Sequence, residues 1–243
     1  MTFNLEEFIR ERNKKVIDAQ KSNSLQSVAL EFVAQSDRYN YGYFWEWLGL
    51  PIIQMPEDVL ITQELIFRER PNVVIEAGIA WGGSLALYAS IQTLLGFGQT
   101  IGIDITIPEH NAKRILSTPV SNRITLIEGS STDTDIYNKV KNMINPTDKK
   151  LVVLDSNHTH EHVLNELRLW SKLLNPGDWL IVSDTIVEHI PKQLHRIRPW
   201  GPGNNPGSAL RKFLEENQDF TDDNSYSNRT FASFSPRGYV QRK

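Results

Sequence analysis

Residues 73 to 84 read Val-Val-Ile-Glu-Ala-Gly-Ile-Ala-Trp-Gly-Gly-Ser. A short apolar run ends beside an acid, and glycines at 78, 82 and 83 lead into a new apolar periodicity of helical type. A strand that passes through a glycine loop straight into a helix offers a ligand bare backbone and the positive helix end. A nucleotide-like cofactor belongs there. Glu76 stands two residues before the first glycine, where a carboxylate repels a pyrophosphate and attracts a sulfonium or ammonium group. The loop also lacks Gly-x-Gly-x-x-Gly, so S-adenosylmethionine is favoured over NAD. Alone, the loop is also compatible with an ordinary glycine turn in a buried βα unit.

The next strand supports the ligand reading. Thr100-Ile101-Gly102-Ile103-Asp104 is short and apolar and ends in an acid 21 residues beyond Gly83, the distance at which a βαβ unit presents a carboxylate to ribose hydroxyls. Asp104 is therefore the expected ribose ligand. Further strands are predicted near 72–76, 123–128, 150–155 and 178–183, and helices near 84–95, 108–116, 133–143, 160–174 and 207–217. Strands alternating with helices imply right-handed crossovers and a mainly parallel sheet covered on both faces, with ligands at the carboxyl ends of the strands. Residues Phe220 to Tyr226 and Thr230 to Phe234 suit an antiparallel hairpin at one edge.

With 243 residues, 40% of them apolar, the chain can bury one sizeable core and reads as a single domain over 1–243. Residues 1–58 read as a helical and aromatic extension that covers the site or an interface, such as one between identical subunits of a homo-oligomer. Residues 59–243 read as the Rossmann-like core. In the extension, Leu5, Phe8 and Ile9, then Leu25, Val28, Phe32 and Val33, fall at helical spacing, and six of the nine residues from Tyr39 to Trp47 are aromatic. Gln54-Met55-Pro56-Glu57-Asp58 starts a helix running to about Arg70. A net charge of −3 gives no ground for nucleic-acid binding as the main activity. The absence of cysteine excludes thiolate catalysis and zinc held by sulfur. No stretch reads as a signal peptide or membrane span, so a cytoplasmic location is the expectation.

Polar chemistry gathers after each strand. Glu128-Gly129-Ser130-Ser131 follows the third and can border an adenine, or Ser131 or Thr132 can simply cap the next helix. The fourth strand ends in Asp155-Ser156-Asn157-His158-Thr159-His160-Glu161-His162, and the fifth in Ser183-Asp184-Thr185. His158, His160 and His162 alternate, yet this segment enters a helix where residues two apart diverge, so one zinc shared by all three is not expected. Residues 185–206 form a long insertion with Lys192, His195, Arg196, Arg198 and Trp200, and read as a lid that contacts the acceptor. Its bases suit a phosphate and its tryptophan a ring, or the bases are a solvated surface.

The segments Gln54-Met-Pro-Glu-Asp, Ile75-Glu-Ala-Gly-Ile-Ala-Trp-Gly-Gly-Ser, Gly102-Ile-Asp-Ile, Ile127-Glu-Gly-Ser-Ser, Leu154-Asp-Ser-Asn-His-Thr-His-Glu-His-Val and Gly238-Tyr-Val resemble the cephalosporin hydroxylase and rhamnosyl O-methyltransferase family over roughly 45–243. The resemblance implies a class I S-adenosylmethionine-dependent methyltransferase with a seven-stranded, mostly parallel sheet whose final strand is antiparallel. It implies that Glu76, Gly78, Gly83, Ser84, Asp104 and Ser130 surround the cofactor, with Asp155 and His158 beside it at the reaction centre. It implies a small-molecule acceptor, a sugar or nucleotide-linked sugar of polysaccharide or natural-product assembly, methylated on a hydroxyl.

The family pattern also carries magnesium, held by an acid before the histidine and an acid pair after the fifth strand. Those positions are Asn157, Ser183 and Asp184 in this chain. A hard dication held mainly by neutral oxygens binds weakly, so a magnesium set of Asp184, Asn157 and Asp155, with Glu188 as a further carboxylate, departs from that pattern. Trp81 stands where the family has histidine. Methyl transfer needs oxygen, methyl carbon and sulfur held in line and a base for the hydroxyl proton. His160 is the expected base because related enzymes place one three residues after the metal acid; His158 is second, and Asp184 orients either. Two other readings are an NAD-linked sugar oxidoreductase or epimerase, disfavoured by Glu76 and by the lack of a Tyr-x-x-x-Lys pair, and a non-catalytic cofactor-binding partner.

Overall fold

The computed structural model describes residues 4–222 and 224–243. Two outer helices, α1 (Leu5–Gln20) and α2 (Asn23–Ser36), begin at side-chain caps, Asn4 and Ser22, that accept from backbone N–H groups of the first turn. A small antiparallel pair follows, β1 (Trp45–Trp47) and β2 (Leu50–Ile52), and then α3 (Pro56–Glu69). The alternating body is β3 (Val73–Ala77), α4 (Gly83–Leu95), β4 (Gln99–Asp104), α5 (Glu109–Leu116), β5 (Ile124–Glu128), α6 (Thr134–Met143), β6 (Lys150–Leu154), α7 (His160–Trp170), β7 (Trp179–Val182) and α8 (Pro206–Glu216), close to the predicted bounds. It ends with β8 (Phe220–Asp222) and β9 (Tyr239–Arg242). Among the described residues no helix is long and apolar enough to cross a membrane.

The seven strands form one sheet in the order β5-β4-β3-β6-β7-β9-β8, parallel up to β7 and antiparallel in the pairs β7–β9 and β8–β9. The alternation of helices and parallel strands read from the sequence is therefore present. Strand order reverses at β3, which pairs with β4 on one side and β6 on the other, and the crevice above such a point is where open α/β sheets bind ligands. The side chains of β3 alternate between two layers. Val73, Ile75 and Ala77 pack with Trp170, Leu210 and Phe213 from beneath α7 and α8. Val74 packs with Leu65 and Ile66 of α3 and Leu87 and Tyr88 of α4. Glu76 shares the parity of Val74, so it enters the α3 and α4 layer.

One predicted strand is absent. Residues 230–234 do not form the second arm of the edge hairpin; Tyr239–Arg242 does. The cause is two carboxylates in the first turn of α3. Glu57 accepts from the backbone N–H groups of Phe231 and Ala232, and Asp58 accepts from Phe234 N–H and the Ser233 hydroxyl. Those donors are consumed by side chains and cannot join a ladder. Burial pushes the Asp58 carboxyl up to about 7. The clamp sets Phe234 against the cavity described next.

Candidate active site

The crevice above β3 and β6 opens into a cavity of about 290 Å³. The glycine loop supplies Gly78, Ile79, Trp81, Gly83 and Ser84; the end of β6 supplies Asp155, Ser156 and His158; the end of β7 supplies Asp184. The 185–206 segment, read from the sequence as a lid, lines one side with Ile190, Lys192, Arg196, Arg198 and Trp200, and residues before α3 contribute Val33, Asp37, Tyr43, Ile53 and Gln54.

Glycine is required at the loop's first position. Gly78 has φ +88°, and a Cβ there would lie 2.1 Å from the Asp155 carbonyl oxygen. That carbonyl cannot retreat easily, because Asp155 N–H is tied to Ala77 O at 2.8 Å. The loop is held from outside as well. Asp104 Oδ2 accepts from Ile79 N–H at 3.0 Å and Ala80 N–H at 3.4 Å, and buried Asn111 donates to Ala80 O. Asp104, expected at a ribose, thus uses one oxygen to shape the loop and does not line the cavity. Ser130 does not line it either; its hydroxyl meets Thr132 Oγ1 at 2.9 Å, and the cap of α6 is Asp133.

Glu76 requires a correction. The sequence reading set its carboxylate beside a cationic cofactor, but the side chain is fully buried beneath the loop and absent from the cavity wall. Ser84 Oγ donates to it at 2.7 Å and Tyr88 OH at 3.0 Å, both from α4. Burial pushes its carboxyl up to about 8, so at neutral pH the group is largely protonated in this structure. Its sign in linkage follows. The folded chain keeps a proton that the unfolded chain loses near the ordinary glutamate value, so Glu76 lowers stability as pH rises from about 4.5 to about 8. Glu76→Gln should remove that dependence, with the variant gaining on the parent by up to about 1.4 kcal/mol per pH unit. Thermal unfolding of both at pH 5.5 and 8 checks it; parallel curves would reject it.

Two carboxylates that do face the cavity, Asp155 and Asp184, have His158 between them. His158 Nδ1 lies 3.0 Å from Asp184 Oδ2, and Nε2 lies 3.5 Å from Asp155 Oδ1. Asp184 is held at φ +56°, a left-handed conformation that a non-glycine residue adopts at a cost, immediately after β7. Burial opposes protonation of His158, but the two carboxylates outweigh it and bring the imidazole up to about 9. Burial raises Asp155 to about 6, against the pull of His158. With both carboxylates ionised and the imidazole protonated, the cluster has a net charge of −1, which suits a cationic cofactor.

His160 is not brought to this cluster. Its Nδ1 meets Ser208 Oγ at 2.8 Å, and its N–H donates to Asn204 Oδ1, so it ties the start of α7 to the foot of the lid. The base expected at this position is therefore displaced from the cavity, because residue 160 begins the helix and turns toward α8. His162 meets Ser156 Oγ at 3.1 Å and Glu166 at 3.4 Å, so the three histidines have separate partners. Asn157 Oδ1 accepts from the N–H and hydroxyl of Thr159 and is spent on that turn. Glu188 is spent on the lid, accepting from Gly203 N–H, Asn205 and Arg211. Sequence reasoning did not single out Gln54 or Asp37 as wall residues. Their backbone segments carry no strand-end signal and reach the cavity only through the fold of the extension.

Asp155, His158 and Asp184 can bring ligand atoms within 4.8 Å of one another. As a magnesium site they fit poorly. Mg²⁺ demands near-octahedral oxygen ligands, whereas here an imidazole stands between the two carboxylates. The neutral oxygen expected from Asn157 is engaged elsewhere.

A family model described as Rhamnosyl O-methyltransferase/CmcI matches residues 39–243. The rhamnosyl O-methyltransferase of Mycobacterium tuberculosis is 29% identical over 202 residues, covering 81% of this chain and 77% of its own length. That of Mycobacterium leprae is 27% identical over 216 residues, covering 85% and 88%. A CmcI structure with Mg and SAM superposes with a TM-score of 0.58 at 20% identity, covering 83% of this chain and 77% of that one. An O-methyltransferase from Bacillus cereus in complex with SAH gives 0.56 at 15% identity, covering 91% and 92%. The structural likenesses establish the fold, and the family match spans the glycine loop, the Asp155–His158–Asp184 cluster and the lid: the chain belongs to the Rhamnosyl O-methyltransferase/CmcI family and is an S-adenosylmethionine-dependent methyltransferase.

Proposed function

We propose that this chain transfers the methyl group of S-adenosylmethionine to a hydroxyl of a sugar carried by a small molecule, with His158 as the base. The observation that carries the reading is the imidazole set between Asp155 and Asp184 in the cavity that the glycine loop also lines. Rhamnosyl relatives supply the sugar, and membership of a methyltransferase family sets aside the NAD reading.

Asp184 Oδ2 lies 3.0 Å from His158 Nδ1, the shorter of the two contacts, and its charge favours the proton on that nitrogen. Nε2, more loosely held, receives the hydroxyl proton. The oxygen attacks the methyl carbon in line, the carbon–sulfur bond breaks, and the sulfonium leaves as neutral S-adenosylhomocysteine. Before that step the sulfonium charge disfavours the imidazolium and draws the base down toward neutral pH. The cavity walls hold the two reactants in line and exclude water.

No step passes through a metal. Incubating the protein with EDTA is expected to leave transfer of a labelled methyl group to a rhamnoside or similar glycoside within about twofold, since positioning and a base supply the chemistry. Loss of turnover restored by magnesium would return the acid pair to a metal. Absence of transfer to every sugar in a panel, with S-adenosylhomocysteine still bound, would reject the acceptor class.

A further inference from the structure

The bases of the lid are unequally spent. Arg196 and His195 both face Asp37, the arginine through Nη2 to Oδ1 and the histidine at 3.1 Å from Oδ2. Arg211, beyond the lid, is taken by Glu188. Lys192 and Arg198 also line the cavity, yet among the described residues neither has a carboxylate within ion-pair distance. Two uncompensated cations over a partly enclosed space raise the local concentration of an anionic ligand.

The position of Arg198 relative to the reaction centre is fixed by an aromatic link. The Arg198 guanidinium lies 5.1 Å from the Trp200 ring, and Trp200 lies 4.9 Å from the His158 ring. Those two contacts limit how far the guanidinium can be from the base, to a length that a hexose with a phosphate at its anomeric carbon can span. The charge of Arg198 is felt at His158, where it works against protonation. A single carboxylate would be met by one base, whereas a guanidinium and a separate ammonium match a divalent anion with several acceptor oxygens.

We propose that Lys192 and Arg198 form a subsite for a phosphate or diphosphate carried by the sugar acceptor, placed so that the sugar's reacting hydroxyl reaches His158. This rests on the methyl-transfer reading above and narrows its substrate to a phosphorylated sugar. The diphosphate has two possible carriers, a nucleoside or a prenyl lipid. Preceding chemistry in either case is transfer or activation of the sugar at its anomeric carbon.

Calorimetry on the full chain saturated with S-adenosylhomocysteine tests the subsite, with uridine diphosphate, farnesyl diphosphate and an uncharged methyl glycoside as probes. At least one diphosphate is expected to bind saturably and more tightly than the glycoside. The Lys192→Gln, Arg198→Gln double variant is expected to lose about tenfold or more of that affinity and to keep its affinity for S-adenosylhomocysteine within about threefold. Preference between the two diphosphates identifies the carrier. No saturable binding of either diphosphate, or equal binding by the variant, would overturn the proposal. A parallel loss of S-adenosylhomocysteine affinity would also overturn it, because the cations would then hold the cofactor's own carboxylate. If the parent chain does not bind S-adenosylhomocysteine at all, the methyl-transfer reading fails first.

Discussion

His158→Gln is expected to lower the rate of methyl transfer by about a hundred- to ten-thousandfold while leaving S-adenosylhomocysteine affinity within about threefold. The size follows from what is removed. The imidazole lies on the cavity wall 3.0 Å from an orienting carboxylate and can change protonation. Glutamine keeps polar contact with Asp155 and Asp184 but cannot accept the hydroxyl proton, so loss should fall on kcat. Asp184→Asn leaves the imidazole in place and disturbs its tautomer, and should give a smaller loss in the same parameter. His160→Ala separates this account from the sequence expectation. It removes a link between α7 and the lid foot, so it should lower thermal stability or raise KM more than it lowers the chemical rate. An equal collapse of chemistry in His160→Ala and His158→Gln, measured by single-turnover assay, would reassign the base.

Gly78→Ala is expected to abolish cofactor binding, with an affinity loss of more than about a hundredfold, and to destabilise the fold by about 2–4 kcal/mol. Two costs coincide. The position has φ +88°, and the added carbon would lie 2.1 Å from the backbone carbonyl of Asp155, whose own N–H is tied to Ala77 O of β3. Gly96→Ala is the control. Gly96 closes α4 at φ +84° with nothing within 4 Å of the added carbon, so it meets only the conformational cost of about 1–2 kcal/mol. Chemical denaturation and S-adenosylhomocysteine titration compare the two. Wild-type affinity in Gly78→Ala would mean that the cofactor does not approach this loop.

Much of the fold was legible because parallel strands buried on both faces read as continuous apolar runs. Val73–Ala77 and Lys150–Leu154 are buried at every position, and glycine or an acid marks where each ends. The edge hairpin was misread because the signal for residues 230–234 was local, whereas their backbone donors go to Glu57 and Asp58, more than 170 residues away in sequence. The site was legible as a set of loops, less so as a set of side-chain directions. Glu76 was read as facing the ligand; strand parity with Val74, together with Ser84 and Tyr88 four residues apart on the following helix, was the signal that it faces inward. His160 was misplaced for a related reason, since its direction depends on where α7 starts. The ends of β6 and β7 set His158 and Asp184 on one cavity wall, a proximity that follows from neighbouring parallel strands ending at the same edge of the sheet.

The electrostatic centre of the site is the Asp155–His158–Asp184 cluster rather than Glu76, and its imidazole lies at about 9. A base works in its neutral form, so kcat/KM for the acceptor should rise with unit slope as pH increases and level off as His158 loses its proton. The most direct test is the single-turnover rate of methyl transfer from pH 6 to 10 in the parent chain and in His158→Gln. The account predicts a rising limb in the parent and its disappearance in the variant; the same limb in both proteins would show that His158 does not carry the proton.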